Sequence, residues 1–442
     1  MADVGTRPRG FVERLEDLLW PLTVALVLIA PTQYSYAMHP KDGPFVLYAD
    51  LYAAALFGLW LLVTLLGRRW HAIIRPPGAI WAVIAVAALS ALGATSMRSA
   101  AVEIAQLGLY FIAVYALFAD VLRGQHRIVV AAKALAIATT VVVFVALYQY
   151  FTTADAMQVR GTFGNRNVYG AYLVMVLPLL FGIAIWTRDS LHRAWFLFVV
   201  ALGALTMLAG IQFWCLALIL LVLCALKSLR AVGYYLLGTV LLVTIIVMWL
   251  PRNRSAIFTE VADPVERRAA FKEVEGFAPD VLIQKRWLEW RAALLMLADN
   301  PPLGVGVGNY QLHIGESTYW GYVPNARKIE PDTNNLYLVI ASSMGLIGLV
   351  AFMAWLGHFW RLAETNWRRA RDDWSMGVSW GLLGATYGIL LVNLFSSLFV
   401  RGTSLVWALI FAMIASVHLR GFQGQDVTAQ ETGGTSESRG ED

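Results

Sequence analysis

Charge is scarce in this sequence: 14% of its 442 residues are Asp, Glu, Lys or Arg, against 59% hydrophobic residues. One soluble core cannot hide that much apolar surface, which excludes an ordinary soluble domain and leaves membrane insertion as the economical explanation. The net charge of +5 is too small to argue for nucleic acid as a partner. Cysteine is nearly absent. Cys215 and Cys224 both lie inside an apolar run, where small core residues belong, and this argues against a disulfide or a metal site. The start, MADVGTRPRGFVERLEDLLWPLTVALVLIA, is basic and then apolar but lacks the small-residue cleavage pattern of a secretory signal, so it is expected to remain as a first span. The inverted halves of many transporters are not evident either.

What the chain does have is long apolar segments, together with seventeen Trp and seventeen Tyr whose amphipathic rings suit bilayer interfaces. Twelve segments approach the ~20 residues of a membrane helix: 18–38, 45–67, 78–96, 101–122, 128–150, 168–187, 192–210, 212–227, 231–250, 334–358, 375–399 and 403–420. The predicted fold class is therefore an all-α polytopic membrane protein, with about twelve transmembrane helices and one large periplasmic loop containing amphipathic helices. Four parts are expected: an N-terminal membrane bundle of about nine spans at 1–250, a periplasmic loop domain at 251–333, C-terminal spans at 334–420, and a polar, non-periodic, disordered cytoplasmic tail at 421–442.

Orientation follows from the loops. One alternate set carries Arg7, Arg9 and Arg14, then Arg68, Arg69 and Arg75, Arg123 and Arg127, Arg188 and Arg193, Lys227 and Arg230, Arg361, Arg368, Arg369 and Arg371, and finally Arg420. The opposing short loops carry only Lys41, Arg98, Arg160, Arg166 and Arg401. The positive-inside rule puts both termini in the cytoplasm and 251–333 on the outer side. Within that loop, Trp287, Leu288, Trp290, Arg291, Leu294 and Leu295 recur at helical spacings, an amphipathic helix lying on the bilayer or capping the bundle and stopped by Asn300-Pro301-Pro302.

A charge at mid-span costs roughly 2.5 to 3.5 kcal/mol, so polar residues inside spans need a reason. Gln33, Asp50, Glu103, Gln149, Gln212, Asn334, Asn335 and Asn393 all fall in outer halves, whereas Lys133 sits at an inner end. Helix ends pairing with one another, Glu103 with Arg98 for instance, would explain them singly. Together they suggest a polar cavity opening outward, fed also by Arg160, Arg286 and Arg401. Arg160 opens the glycine-rich RGTFGNRNVYGAYL and Arg286 opens RWLEWRAALL. Guanidinium forks match phosphate oxygens in two-point contacts, and backbone N–H groups around Gly161, Gly164 and Asn165 could add to an anion site. A membrane-borne anion on the outer face fits a polyprenyl diphosphate carrying sugar; Arg166, Arg267 and Arg268 suit lipid headgroups instead.

RGTFGNRN followed by a span, RWLEWRAALLMLADNPPLGVGVGNY, and then DTNNLYLVIASSMGLIGL resemble, in that order, three landmarks of the O-antigen ligase and O-antigen polymerase family. The resemblance covers most of the chain. It implies a metal-independent, inverting glycan transfer without a cofactor, from an undecaprenyl diphosphate-linked glycan donor on the periplasmic side to a hydroxyl acceptor such as lipid A-core, a glycan repeat or a protein. It implies further that Arg160 and Arg286 hold the diphosphate. The third landmark usually begins His-Asn; here Asn334 takes the histidine's place, with Asn335 in register, while Gln212 replaces an arginine and Ser343 a glutamate. Asn165, Asn167, Arg291, Tyr337 and Arg401 join Gln212 and Asn335 as substrate-binding candidates.

An amide orients a hydroxyl but does not take its proton near neutral pH, whereas imidazole does. Three readings stay open: an active transferase whose base is displaced to His313, Glu330 or Asp332; a member that binds lipid-linked glycan without turning it over; and a transporter of lipids or anions. Membrane lipids are expected partners in each.

Overall fold

A computed structural model describes residues 11–33, 47–67, 74–152, 159–208, 210–228, 281–313, 334–397, 399 and 402–420. Their regular elements are helices: α1 (Phe11–Ile29), α2 (Tyr48–Leu66), α3 (Gly78–Ala91), α4 (Met97–Val121, with a π-helical stretch at Leu109–Val114), α5 (Gln125–Thr152), α6 (Arg166–Trp186), α7 (Ser190–Thr206), α8 (Ile211–Lys227), α9 (Val281–Asp299), α10 (Tyr310–His313), α11 (Leu336–Arg369), α12 (Asp373–Val392) and α13 (Thr403–Arg420). Each of the twelve apolar segments read from the sequence coincides with one of these helices except 231–250, which lies outside the described residues. So do most of 251–333 and all of 421–442.

Six helices, α2, α4, α5, α6, α11 and α12, are long and apolar enough to cross a membrane, while α3, α7, α8 and α13 are shorter apolar helices. Outward-facing positions stay apolar, as with Trp81, Phe144, Trp214 and Val350. Such a surface would drive aggregation in water and is the natural boundary with lipid tails. The chain is a polytopic membrane protein.

The centre of the bundle forms where glycine lets backbones touch. Along the antiparallel contact of α6 with α12, a Cβ on Gly182 would stand 2.4 Å from Gly381 Cα, and one on Gly388 2.4 Å from the Val174 carbonyl oxygen. Membrane helices gain little from the hydrophobic effect against one another, so this close van der Waals approach supplies the packing. The seam fixes the first turn of α6 beside the last turn of α12. Aromatic rings fill the neighbouring core, with Phe359 stacked on Phe411 at 3.8 Å and Trp355 on Trp407 at 5.8 Å.

A second device places α11. Its helix is interrupted at Gly345 (φ 68°, ψ −172°), and the segment Pro301–Gly308 docks into the break. Val305 N–H donates to the Ser342 carbonyl (2.9 Å), Gly306 N–H to the Ser343 carbonyl (3.0 Å) and Leu346 N–H to the Pro301 carbonyl (2.8 Å). The carbonyls released by the kink thus find protein donors, as irregular backbone within a membrane bundle requires. Gly304, Gly306 and Gly308 all have positive φ, and a Cβ on Gly304 would lie 2.4 Å from the Ser342 oxygen. The glycines of PPLGVGVGN therefore serve docking, with Asn309 finishing the join by accepting from Ser96 N–H at 2.7 Å.

The sequence put an amphipathic helix here, and α9 ends where expected, before Pro301. Its faces are unlike in size. Glu289, Ala292, Ala293 and Met296 turn inward, whereas Leu294 and Leu295 are exposed. Small side chains let α9 lie close on the first turns of α11, where Leu338 and Val339 meet it, and the larger leucines are left outside.

Candidate functional site

Asn334 is the one non-glycine residue with positive φ (49°) among the described residues. Asparagine tolerates this left-handed conformation better than most side chains. It precedes Asn335, whose extended backbone and side chain cap α11 by accepting from Leu338 N–H at 3.2 Å. The paired asparagines divide the work: Asn335 starts the helix, and Asn334 turns its amide into the bundle.

There it joins a chain of polar side chains from five elements. Asn334 Oδ1 accepts from Asn167 Nδ2 at 3.1 Å, and Asn334 Nδ2 donates to Glu289 Oε2 at 3.2 Å. Asn167 Oδ1 in turn accepts from Gln212 Nε2 (3.3 Å), which also donates to Ser396 Oγ (3.1 Å). Gln212 reaches this position because Gly170 leaves room: a Cβ there would sit 2.9 Å from Gln212 Cγ. α6, α8, α9, the start of α11 and the residues after α12 thus converge on one network. Gln212, Glu289 and Ser396 are buried and Asn334 is half-buried.

Glu289 was not among the residues singled out in the sequence. Its side chain is 2% exposed, and removing a carboxylate from water costs several kcal/mol even after relaxation. The clue available in the sequence is the stripe of 289, 292, 293 and 296, otherwise small or apolar, which runs between bulkier Trp and Leu positions.

Arg160 sits in a pinned loop before α6. Its N–H and that of Gly161 both donate to Gln149 Oε1 (2.9 and 2.8 Å), Gly164 N–H donates to Gln33 Oε1 (2.7 Å), and Thr162 Oγ1 donates to the Pro31 carbonyl (2.5 Å). Backbone donors expected to await an anion at Gly161 and Gly164 are therefore occupied by the two glutamines, whose amide oxygens reach them first. Asn165 is likewise committed, capping α6 by accepting from Asn167 N–H at 2.7 Å. The Arg160 guanidinium is exposed, with Nη1 donating to the Gly164 carbonyl at 3.2 Å.

The remaining candidates divide. Arg286 stands on α9 three residues before Glu289, with its side chain outside the described residues. Arg291 follows Glu289 by two residues, about 200° round the helix, and is exposed. His313 lies against Thr95 Oγ1 at 3.1 Å, at the turn between α3 and α4. Tyr337 donates its hydroxyl to the Leu390 carbonyl at 2.7 Å, while Leu336 N–H donates to the Asn393 carbonyl at 2.9 Å; both tie α11 to α12. Ser343 is buried at the docked loop. Arg401, Glu330 and Asp332 lie outside the described residues. The structure thus joins Asn167, Gln212 and Asn334 directly and assigns Asn165, Asn335 and Tyr337 to holding helices.

Residues 194–353 match the family model described as O-antigen ligase, so this part of the chain is similar to that family. The matched segment contains Gln212, Glu289 and Asn334; Arg160, Asn167 and Ser396 lie beyond it. No curated protein matches the chain.

Proposed function

From the O-antigen ligase match, whose family implies glycan transfer of ligase or polymerase type from a lipid-linked donor, we propose that this protein transfers a glycan from undecaprenyl diphosphate to a hydroxyl. The acceptor is lipid A-core or a growing surface polysaccharide, which makes the protein a bacterial enzyme of lipopolysaccharide or polysaccharide biosynthesis. It sits in the inner membrane with both termini cytoplasmic and its site facing the periplasm. The observation that carries this reading is the side-chain network centred on Asn334, at the start of the third landmark motif.

Arg160 and Arg286 bind the diphosphate in this scheme. Each two-point contact contributes about 1.5 to 3 kcal/mol net, and charge developing on the leaving diphosphate makes the same contacts stronger in the transition state. Asn334 orients the acceptor hydroxyl, with Asn167 and Gln212 holding its amide. Backside attack at the anomeric carbon inverts it. No metal is required, because guanidinium groups carry the phosphate charge.

A protein that binds lipid-linked glycan without turnover is the second reading, favoured by an amide standing where the family's histidine is usual. Incubating the purified protein with undecaprenyl diphosphate-linked glycan and lipid A-core, or with the glycan donor alone, decides between them. Release of undecaprenyl diphosphate that survives EDTA is expected. Donor binding with no release under any acceptor condition leaves the binding reading, and release abolished by EDTA and restored by a divalent ion contradicts the metal-independent scheme.

A further inference from the structure

Glu289 lies within the second landmark stretch, RWLEWRAALL, yet the clamp scheme gives it no role; it is the buried carboxylate on the α9 face that otherwise turns Ala292, Ala293 and Met296 inward. We propose that Glu289 is the proton acceptor for the attacking hydroxyl, with Asn334 beside it as the group that orients that hydroxyl; the proposal rests on the glycan-transfer reading.

Asn334 cannot take a proton near neutral pH, since an amide offers only hydrogen-bond donors and a weakly basic oxygen. The carboxylate that accepts from its Nδ2 at 3.2 Å can. Asn334 is half-buried at the start of α11 and Glu289 lies behind it. A hydroxyl resting on the Asn334 amide is therefore within reach of a Glu289 oxygen directly or through one water, the separation that general-base catalysis needs. Position is fixed from several sides: Asn167 holds the Asn334 oxygen, Gln212 holds Asn167, and the docked loop at Gly345 sets the course of α11. His313 is engaged elsewhere, on Thr95.

In the step, the acceptor oxygen forms a bond to the anomeric carbon. The bond from that carbon to the diphosphate oxygen breaks, its electron pair leaving with the diphosphate. The hydroxyl proton passes to a Glu289 carboxylate oxygen and then to water as products depart.

The test compares wild type with Glu289→Gln and Glu289→Asp, using the full chain in lipid nanodiscs, undecaprenyl diphosphate-linked glycan as donor, and lipid A-core or a second donor molecule as acceptor. Glutamine keeps the size and can still accept from Asn334 but cannot take a proton. Its kcat should fall about 100-fold or more, with donor KM and thermal midpoint near wild type. Aspartate keeps the carboxylate and should retain at least about tenfold more kcat than glutamine. A Glu289→Gln protein with near wild-type kcat overturns the proposal while leaving glycan transfer intact. Equal loss in both variants overturns it too, since that pattern marks a packing role. Absence of release by wild type with either acceptor overturns the transfer reading and this assignment together.

Discussion

The residues proposed to hold phosphate and those proposed to hold the acceptor should fail differently when changed. Arg160 is exposed on a loop whose backbone is pinned by Gln33 and Gln149, so Arg160→Ala should leave the loop in place while removing the charge and one exposed hydrogen bond to the Gly164 carbonyl. It should weaken binding of undecaprenyl diphosphate by about 1.5 to 3 kcal/mol, roughly 10- to 150-fold, and binding of the uncharged polyprenol hardly at all; Arg286→Ala should do likewise. Isothermal titration with both lipids checks this, and equal losses for the two would show that the arginines do not read phosphate. Gln212 behaves otherwise, because it is 4% exposed and donates both to Asn167 and to Ser396. Gln212→Ala takes the donor away from the buried Ser396 hydroxyl and the half-buried Asn167 amide oxygen and should lower stability by about 1 to 3 kcal/mol, seen as a drop in thermal midpoint. Asn334, Gln212 and Arg160 were legible in the sequence as polar residues in apolar or glycine-rich settings. Glu289 was not, because in RWLEWR it reads as one more charge on an amphipathic helix and its partner is 45 residues away in sequence.

At the scale of elements, apolar length made the helices legible, since a run near 20 residues has few alternatives to a span. The α11 break was hidden. Gly345 looked like one more small residue in SSMGLIGL, and only the docked Pro301–Gly308 segment explains its backbone. A Cβ there would lie 2.2 Å from the Pro302 carbonyl oxygen at a φ of 68°. Gly345→Ala should therefore destabilise the protein by more than about 1 kcal/mol from the left-handed strain alone, with the steric clash added, and should impair activity by shifting the first turns of α11; a thermal melt and a turnover assay read the two effects. At the other end of the bundle, Asp372 caps α12 by accepting from Ser375 N–H at 3.0 Å. Partial burial raises its pKa, but the hydrogen bonds from Ser375 and nearby backbone outweigh that and hold it below the ordinary value. A depressed carboxyl stabilises the fold above the unfolded pKa and loses that contribution as pH falls through the folded one. Asp372→Ala should thus lower the thermal midpoint at neutral pH, and the difference from wild type should shrink on acidification below about pH 4.

For the whole molecule, the charge pattern and the network make one statement. Arg123, Arg188, Arg193, Lys227 and Arg368 cluster at the end of the bundle away from Asn334, with Arg188 paired to Asp373 at 2.5 Å. The amide network occupies the opposite end, the periplasmic one in the proposed orientation. A cysteine placed at Ser317 should react with an impermeant thiol reagent from the periplasmic side, and labelling from the cytoplasmic side alone would invert the site. The central claim is that Asn334 stands where the acceptor hydroxyl meets a diphosphate-linked glycan. Its most direct measurement is the initial rate of undecaprenyl diphosphate release by wild type and by Asn334→Ala at saturating donor. The account predicts acceptor-dependent release by wild type and a fall of about tenfold or more in the variant; release by both at equal rates would contradict it.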